Sequence, residues 1–149
     1  MSCIFCQINQ GALPAHALEV TEHTHAIMDK FPLSPGHIIV LSKTHASTVS
    51  ALTSDERAAL LDAGHRLSGA LKKADDRIKD VHFLINDGPK ANQHVPHVHL
   101  HIIPRYGWDL AKLPYRFMTR FANPLNYLLA EKRLSSWAVK IRNHLPNTM

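Results

Sequence analysis

The chain of 149 residues has few cysteines and no long apolar run. Its two cysteines, Cys3 and Cys6, are separated by only two residues, which argues against the disulfide frameworks that staple small secreted domains. No stretch approaches the roughly 18–20 apolar residues of a membrane-spanning helix. The first residues show neither a basic leader nor a long apolar segment. We therefore expect a cytoplasmic protein that does not enter membranes.

The net charge is positive but moderate. There are 17 basic and 12 acidic residues, a formal net charge of +5, which suits a phosphate-bearing ligand without requiring a polymer. An RNA-binding signature, zinc-finger spacing and a long basic run are all missing from the sequence, so nucleic acid is not the expected partner.

Histidine, by contrast, is abundant, with 12 residues. Its unperturbed pKa lies near neutrality, so it serves as nucleophile, acid, base or metal ligand. Three histidines alternate with apolar residues in the run His97-Val98-His99-Leu100-His101. Successive side chains of a strand point to opposite faces, which predicts three imidazoles on one face and an aliphatic face that packs on the core.

This alternation alone leaves two readings open. Neutral imidazole is the commonest protein ligand for metals, so the three rings can form a zinc site. Equally, one ring can act as a nucleophile that its neighbours support. A strand that carries three alternating histidines by chance is a poor explanation, because histidine has no special preference for strands.

Periodicity predicts an α+β domain with a mainly antiparallel sheet. Thr53 and Glu56 form a candidate capping box before a long amphipathic helix. A second helix is predicted from Pro124 to about Leu145, with a buried stripe at Leu125, Leu128, Leu134, Trp137, Ala138, Ile141 and Leu145. Short apolar runs bounded by turn residues predict strands within residues 17–29 (two strands) and over residues 37–41, 81–85 and 97–103, the last stopped by Pro104.

The histidine run resembles the signature of the histidine triad (HIT) nucleotide hydrolases and transferases. Further matches in order and spacing cover residues 3–108, and Pro104-Arg105 resembles the Fhit-type branch and its bacterial relatives. The resemblance implies a HIT-like fold with a five-stranded sheet, a domain over residues 1–108 and a C-terminal helical extension over residues 109–149. The matching positions are Phe5, Ile8, Asp29, Gly36-His37-Ile38-Ile39-Val40, Lys43-Thr44-His45, Asn86 and Gln93.

The resemblance also implies roles for single residues. His99 would attack the α-phosphorus of a nucleotide and form a nucleotidyl-histidine, while His101 supports it, and no organic cofactor is needed. Asp29 would accept hydrogen bonds from the ribose hydroxyls. Asn86 and Gln93 would donate hydrogen bonds to phosphate oxygens. Four apolar residues would line the pocket for the base of an adenine nucleotide: Ile4, Phe5, Ile8 and Ile27. The alternative for each of them is plain packing in the core.

A structural zinc is implied by the same resemblance. Many bacterial members carry a pair like Cys3 and Cys6, and His45 and His97 would complete a closed Cys₂His₂ set suited to zinc. His97 would then be a zinc ligand and not a group that takes part in the reaction. The alternative is a pair of reduced cysteines in the core.

Two positions depart from the family pattern. His94 stands where a small hydroxyl residue commonly helps to pass a proton to the leaving group, and Lys30 replaces a commonly apolar residue. The identity of the leaving group is therefore left undecided, and the candidate substrates are dinucleoside polyphosphates and nucleoside phosphoramidates. A catalytically weak nucleotide-binding module is the alternative function. The resemblance also implies a homodimer, formed through a helix and a continued sheet.

Overall fold

The computed structural model describes residues 3–107, 111, 114–115 and 125–146, with only the backbone given for residues 125–130. Five strands and three helices are found in these ranges, together with short 3-10 turns at Val49–Ala51 and Pro89–Ala91. In chain order the elements are α1 (Ile4–Asn9), β1 (Ala17–Val20), β2 (Thr24–Met28), β3 (Ile38–Ser42), α2 (Ser54–Ala74), β4 (Asp80–Leu84), β5 (His99–Arg105) and α3 (Leu125–Arg142).

The strands form one sheet in the order β1-β2-β3-β5-β4, and every neighbouring pair is antiparallel. This confirms the predicted α+β architecture. No described helix combines the length and the apolar character that crossing a membrane requires.

Helix α2 begins where the sequence predicts. The Thr53 hydroxyl accepts a hydrogen bond from the backbone N–H of Glu56, and the Glu56 carboxylate accepts one from the N–H of Thr53. This reciprocal cap satisfies two amides that the first turn leaves without partners.

The two faces of the sheet carry different clusters. One face packs on α2 and α3 and forms the main core, to which the sheet contributes Ala26, Met28, Val40, Leu100 and Ile102. The opposite face carries a smaller cluster made of Phe5 from α1 with Ile27, Ile39 and Leu41. Because side chains alternate along each strand, this second face is also the one that carries His99 and His101.

The histidine strand differs from its predicted bounds at both ends. His97 lies before β5, which begins at His99. The N–H of His97 donates to the carbonyl of Val95 at 2.8 Å, so this residue belongs to a tight turn and not to the strand. At the other end the strand continues through Pro104 to Arg105. Pro104 turns its carbonyl toward Ser34, on the β3 side, where pairing with β3 has already ended at Ile102. The missing N–H of the proline therefore breaks no ladder bond there.

Helix α3 is shorter than predicted at its C-terminal end, since it stops at Arg142. Of its predicted stripe, Leu134, Ala138 and Ile141 are buried in the main core, and Trp137 and Leu145 pack against that core. Pro124 and the side chains of Leu125 and Leu128 lie outside the described residues.

Candidate functional site

Strand β5 holds the site from behind. Val98, just before the strand, and Leu100 and Ile102 within it are almost fully buried in the main core. His99 and His101 project from the other face, and their ring centroids are 4.8 Å apart. A rigid strand is a precise support for reacting groups, because small displacements cost large factors in rate.

The ring of His99 is held in one tautomer. Its Nδ1 donates to the backbone carbonyl of His97 at 2.7 Å, so the lone pair is on Nε2. His99 is only 6% exposed. Burial lowers its pKa, although the His97 carbonyl and the charge of Asp29 act in the opposite direction. A neutral imidazole with a free Nε2 lone pair is the form that a nucleophile requires.

A second histidine pair fixes the tautomer of His101. The backbone N–H of Leu33 donates to Nδ1 of His37 at 3.1 Å, so the His37 ring proton is on Nε2. That Nε2 lies 3.0 Å from Nδ1 of His101 and donates to it. His101 therefore carries its own proton on Nε2. His37, which is fully buried, was not among the residues predicted for the site.

Asp29 lies beside this pair. It is 6% exposed, and its Oδ1 accepts the backbone N–H of Phe31 at 2.8 Å. Its Oδ2 is 3.2 Å from Nδ1 of His37, a contact that is an ion pair only when His37 is protonated, because in the neutral ring this nitrogen accepts the N–H of Leu33. Ligand-type atoms of Asp29, His37 and His101 lie within 4.8 Å of one another.

Cys3, Cys6, His45 and His97 form a thiol–imidazole cluster. Nδ1 of His97 lies 3.4 Å from the Sγ of Cys3, 3.6 Å from the Sγ of Cys6 and 3.3 Å from Nδ1 of His45. Nδ1 of His45 lies 3.3 Å from the Sγ of Cys6. In a tetrahedral zinc site the sulfur and nitrogen ligand atoms stand about 3.3–3.8 Å apart, as bond lengths of about 2.0–2.3 Å require. The donor set and its spacing therefore fit zinc.

The tautomer of His97 also suits a metal ligand. Its Nε2 donates to the backbone carbonyl of Ser42 at 2.8 Å, which leaves the Nδ1 lone pair directed at the thiol–imidazole cluster. Ligating histidines usually donate their second ring N–H to such an acceptor. The ring of His97 thus belongs to the thiol–imidazole cluster, while its backbone carbonyl accepts the hydrogen bond from His99.

The loop before His97 holds the remaining polar residues predicted for the site. Gln93 accepts the N–H of Gly88 at 3.0 Å and donates to the carbonyl of Ser47 at 2.8 Å. Asn86 donates to the carbonyl of Asn92 at 3.3 Å. Each amide nitrogen has a second hydrogen, and contact of either residue with a phosphate stays a prediction. His94 is exposed in the same loop.

The apolar residues predicted for the base pocket meet on the histidine face. Phe5 and Ile27 are buried together, and Ile8 packs against them. The Phe5 ring meets His99 edge-on, with centroids 5.0 Å apart. Ile4, in contrast, is 48% exposed and is not part of this buried cluster. Lys30, just past Asp29, is exposed.

Comparison with known proteins agrees with this geometry. The model of the HIT domain matches residues 10–108. The chain is 36% identical over 106 residues to the protein hit of Bacillus subtilis, a match that covers 71% of this chain and 72% of that protein. It is 36% identical over 105 residues to adenosine 5′-monophosphoramidase hnt1 of Schizosaccharomyces pombe, with 70% and 75% covered.

A similar solved structure is that of a zinc-bound histidine triad family protein from Mycobacterium smegmatis. It superposes with a TM-score of 0.75 at 29% identity, and the match covers 96% of this chain and 97% of that one.

Proposed function

Because the chain belongs to the HIT domain family, we propose that it is a nucleotide hydrolase or nucleotidyl transferase that acts at the α-phosphate of an adenine nucleotide. The observation that carries the proposal is the hydrogen bond from Nδ1 of His99 to the His97 carbonyl, at 2.7 Å. It leaves Nε2 of a buried, neutral ring as the nucleophile.

The first step forms a bond between Nε2 of His99 and the α-phosphorus. The bond from phosphorus to the leaving group breaks, and the leaving group takes its electron pair. His101 donates its Nε2–H to a phosphate oxygen and stabilises the charge that develops there. We assign delivery of a proton to the leaving group to His94, because it is exposed in the loop just before the reacting histidines.

The second step returns the enzyme to its starting state. Water attacks the phosphorus, the bond to Nε2 of His99 breaks, the nucleoside monophosphate leaves, and the proton that the water loses returns to His94. Another acceptor in place of water would make the reaction a transfer. Dividing one displacement into two lowers the barrier of each.

Binding of the nucleoside is assigned to the pocket beside His99. Asp29 would accept from the ribose hydroxyls, while Ile4, Phe5, Ile8 and Ile27 would enclose the base. Asn86 and Gln93 would donate to phosphate oxygens with their second amide hydrogens. Phosphoramidates are our preferred substrates, because the S. pombe relative is named an adenosine 5′-monophosphoramidase; dinucleoside polyphosphates are the second class.

We further propose that Cys3, Cys6, His45 and His97 hold a structural zinc ion. A closed set of four protein ligands leaves no open position, so the ion stabilises the fold. It would clamp α1 to the residue whose carbonyl orients His99. His97 then supports catalysis through its backbone.

A homodimer is proposed through the outer edge of β4. Among the described residues β4 pairs only with β5, and its Phe83 and Leu84 are each 44% exposed. Leu61, on α2, is 55% exposed one turn before Gly64, which packs against Phe83. A free strand edge beside exposed apolar side chains is typical of a surface that another chain covers.

The proposed reaction is tested by incubation of the protein with adenosine 5′-phosphoramidate and diadenosine polyphosphates, followed by chromatography of the products. We expect AMP from wild type and from the control His65→Ala, whose exposed side chain lies on α2. His99→Ala is expected to be inactive. Mass spectrometry of quenched wild type should show an adenylate on His99.

Equal inactivity of wild type and His99→Ala on every substrate would refute the enzymatic proposal. AMP binding without any adduct at His99 would instead support the nucleotide-binding module.

A further inference from the structure

Two groups compete for Nδ1 of His37. The backbone N–H of Leu33 donates to this nitrogen at 3.1 Å, which requires a lone pair there. Oδ2 of Asp29 lies 3.2 Å from the same nitrogen. A carboxylate is only an acceptor, so Asp29 would gain a hydrogen bond if the nitrogen carried a proton. One ring nitrogen cannot accept and donate at once, so His37 can satisfy only one of these two groups.

The competition gives the His37–His101 pair two neutral forms. In the form of the structure, here the donor form, Nε2 of His37 donates to Nδ1 of His101 at 3.0 Å, and Nε2 of His101 carries a proton. In the alternative, here the acceptor form, both ring protons are on Nδ1. His37 then donates to Asp29, and Nε2 of His101 has a lone pair. Each ring keeps one proton, but only the donor form can donate to a phosphate oxygen.

The two forms are held by opposing hydrogen bonds. The donor form keeps the bond from the N–H of Leu33. The acceptor form gives up that bond and gains a bond to the charged carboxylate of Asp29, which is a stronger acceptor than a neutral group. A charged ring is opposed by the full burial of His37, because burial disfavours charge, and by the N–H of Leu33. The balance therefore depends on what else Asp29 accepts.

A ligand on the histidine face comes within reach of Asp29. A carboxylate oxygen of Asp29 lies within 4.8 Å of a ring nitrogen of His101, which is partly exposed. The ring centroids of His101 and His99 are 4.8 Å apart, and the side chain of Asp29 is 8% exposed. Asp29 thus borders the two rings that would meet the phosphate.

We infer that Asp29 is a positioning residue through which the ribose of the substrate sets the tautomers of His37 and His101. This inference rests on the proposed function and adds to it a link between recognition of ribose and rate. A ribose hydroxyl that donates to Oδ2 weakens the attraction of this oxygen for the ring proton. The donor form is then favoured, and His101 can stabilise the charge that develops on the phosphate. Binding energy from a part of the substrate that does not react thus appears in kcat.

Steady-state kinetics with adenosine 5′-phosphoramidate and its 2′,3′-dideoxy analogue test the inference. Loss of the hydroxyls should raise KM and also lower kcat about tenfold, the effect of one hydrogen bond at a buried group. If Asp29 served only to bind the ribose, KM would rise and kcat would be equal for the two substrates.

Asp29→Asn should remove the difference in kcat. Oδ1 of Asp29 accepts the N–H of Phe31 at 2.8 Å, so the asparagine oxygen takes that position and the NH₂ group replaces Oδ2. The amide then donates to Nδ1 of His37 and holds the donor form without the ribose. The ratio of kcat between the two substrates should fall from about tenfold to about onefold. The surface control His65→Leu should keep the ratio of wild type.

Nitrogen-15 NMR of the histidine rings provides a readout that does not depend on turnover. Two-bond correlation spectra show which ring nitrogen of His37 and of His101 carries the proton. Saturating AMP should raise the fraction of both rings with the proton on Nε2, whereas saturating 2′,3′-dideoxyadenosine 5′-monophosphate should leave it as in the free protein.

Each outcome decides the matter. Equal kcat of wild type for the two substrates, an unchanged ratio in Asp29→Asn, or identical ring spectra with the two monophosphates overturns the inference while the proposed function stands. Wild type that hydrolyses neither substrate overturns the proposed function and this inference with it. Should Asp29→Asn fail to fold, the kinetics and the ring spectra of wild type support or overturn the inference by the same criteria.

Discussion

Nε2 of His37 lies 3.0 Å from Nδ1 of His101, so a fully buried histidine fixes the tautomer of its neighbour. His37 is oriented in turn by the backbone N–H of Leu33. The main chain thus orients the ring of His37, and His37 in turn orients the ring of His101 on the face that carries His99. The proton on the outer nitrogen of His101 follows from this order.

His37→Leu should lower kcat more than it raises KM. Without the bond from His37, His101 can rotate or adopt the other tautomer, and its donation to the phosphate weakens. Removing a direct donor costs about 100-fold to 1,000-fold; for this indirect role we expect about tenfold to a hundredfold. Steady-state kinetics on adenosine 5′-phosphoramidate measures the change, with His65→Leu as control. An unchanged kcat would show that His101 needs no orientation from His37.

Metal content provides a separate test of the thiol–imidazole cluster. Purified wild type should contain about one zinc ion per chain, because the four donors form one closed site. His45→Ala should lose most of it and melt at a lower temperature, since a ligand that binds only the folded state stabilises that state. The matched change His23→Ala, outside the cluster, should alter neither quantity. Elemental analysis and thermal melts decide, and wild type without zinc after growth in zinc-supplemented medium would refute the site.

Two glycines should respond to alanine in opposite directions. Gly36 has a φ of +84°, and a Cβ there would lie 3.1 Å from Leu71 and 3.3 Å from Trp137. Gly36→Ala should therefore destabilise the fold, by about 1–3 kcal/mol for the backbone strain alone. Gly69 lies within α2, where a Cβ would meet nothing within 4 Å; Gly69→Ala should stabilise by about 0.5–1 kcal/mol. Urea denaturation measures both, and a stable Gly36→Ala would contradict the crowding.

If the chain is a homodimer, substitution of one surface residue should lower the mass of the particle in solution. Leu61→Asp should shift wild type from dimer toward monomer in sedimentation analysis, because a charge would be buried in the contact. Val139→Asp is the control, since Val139 is exposed to a similar degree, 47%, on α3. A monomeric wild type at micromolar concentration would exclude this interface.

The elements that the sequence predicts best are those with local signals. Alternation placed Leu100 and Ile102 in the core, and the pairing of Thr53 with Glu56 marked the start of α2. Long-range contacts carry no such signal. His37 follows a glycine and precedes an apolar run, and nothing in that spacing shows that its ring meets His101, 64 residues later.

The same limit applies to Pro104. Pro104 is a sound strand terminator in general. Pairing with β5 ends at Ile102 on the β3 side but continues to Arg105 on the β4 side, and only this difference reveals that the missing N–H of Pro104 faces a side where pairing has ended.

The carbonyl of Ser42 accepts from Nε2 of His97 and from Nδ2 of Asn9. One main-chain oxygen is therefore the common anchor of the thiol–imidazole cluster and of the C-terminal end of α1, where Asn9 lies. A mutational scan is blind to this atom, because every residue type at position 42 supplies the same oxygen. The two regions can diverge in side-chain composition during evolution while the anchor between them stays in place.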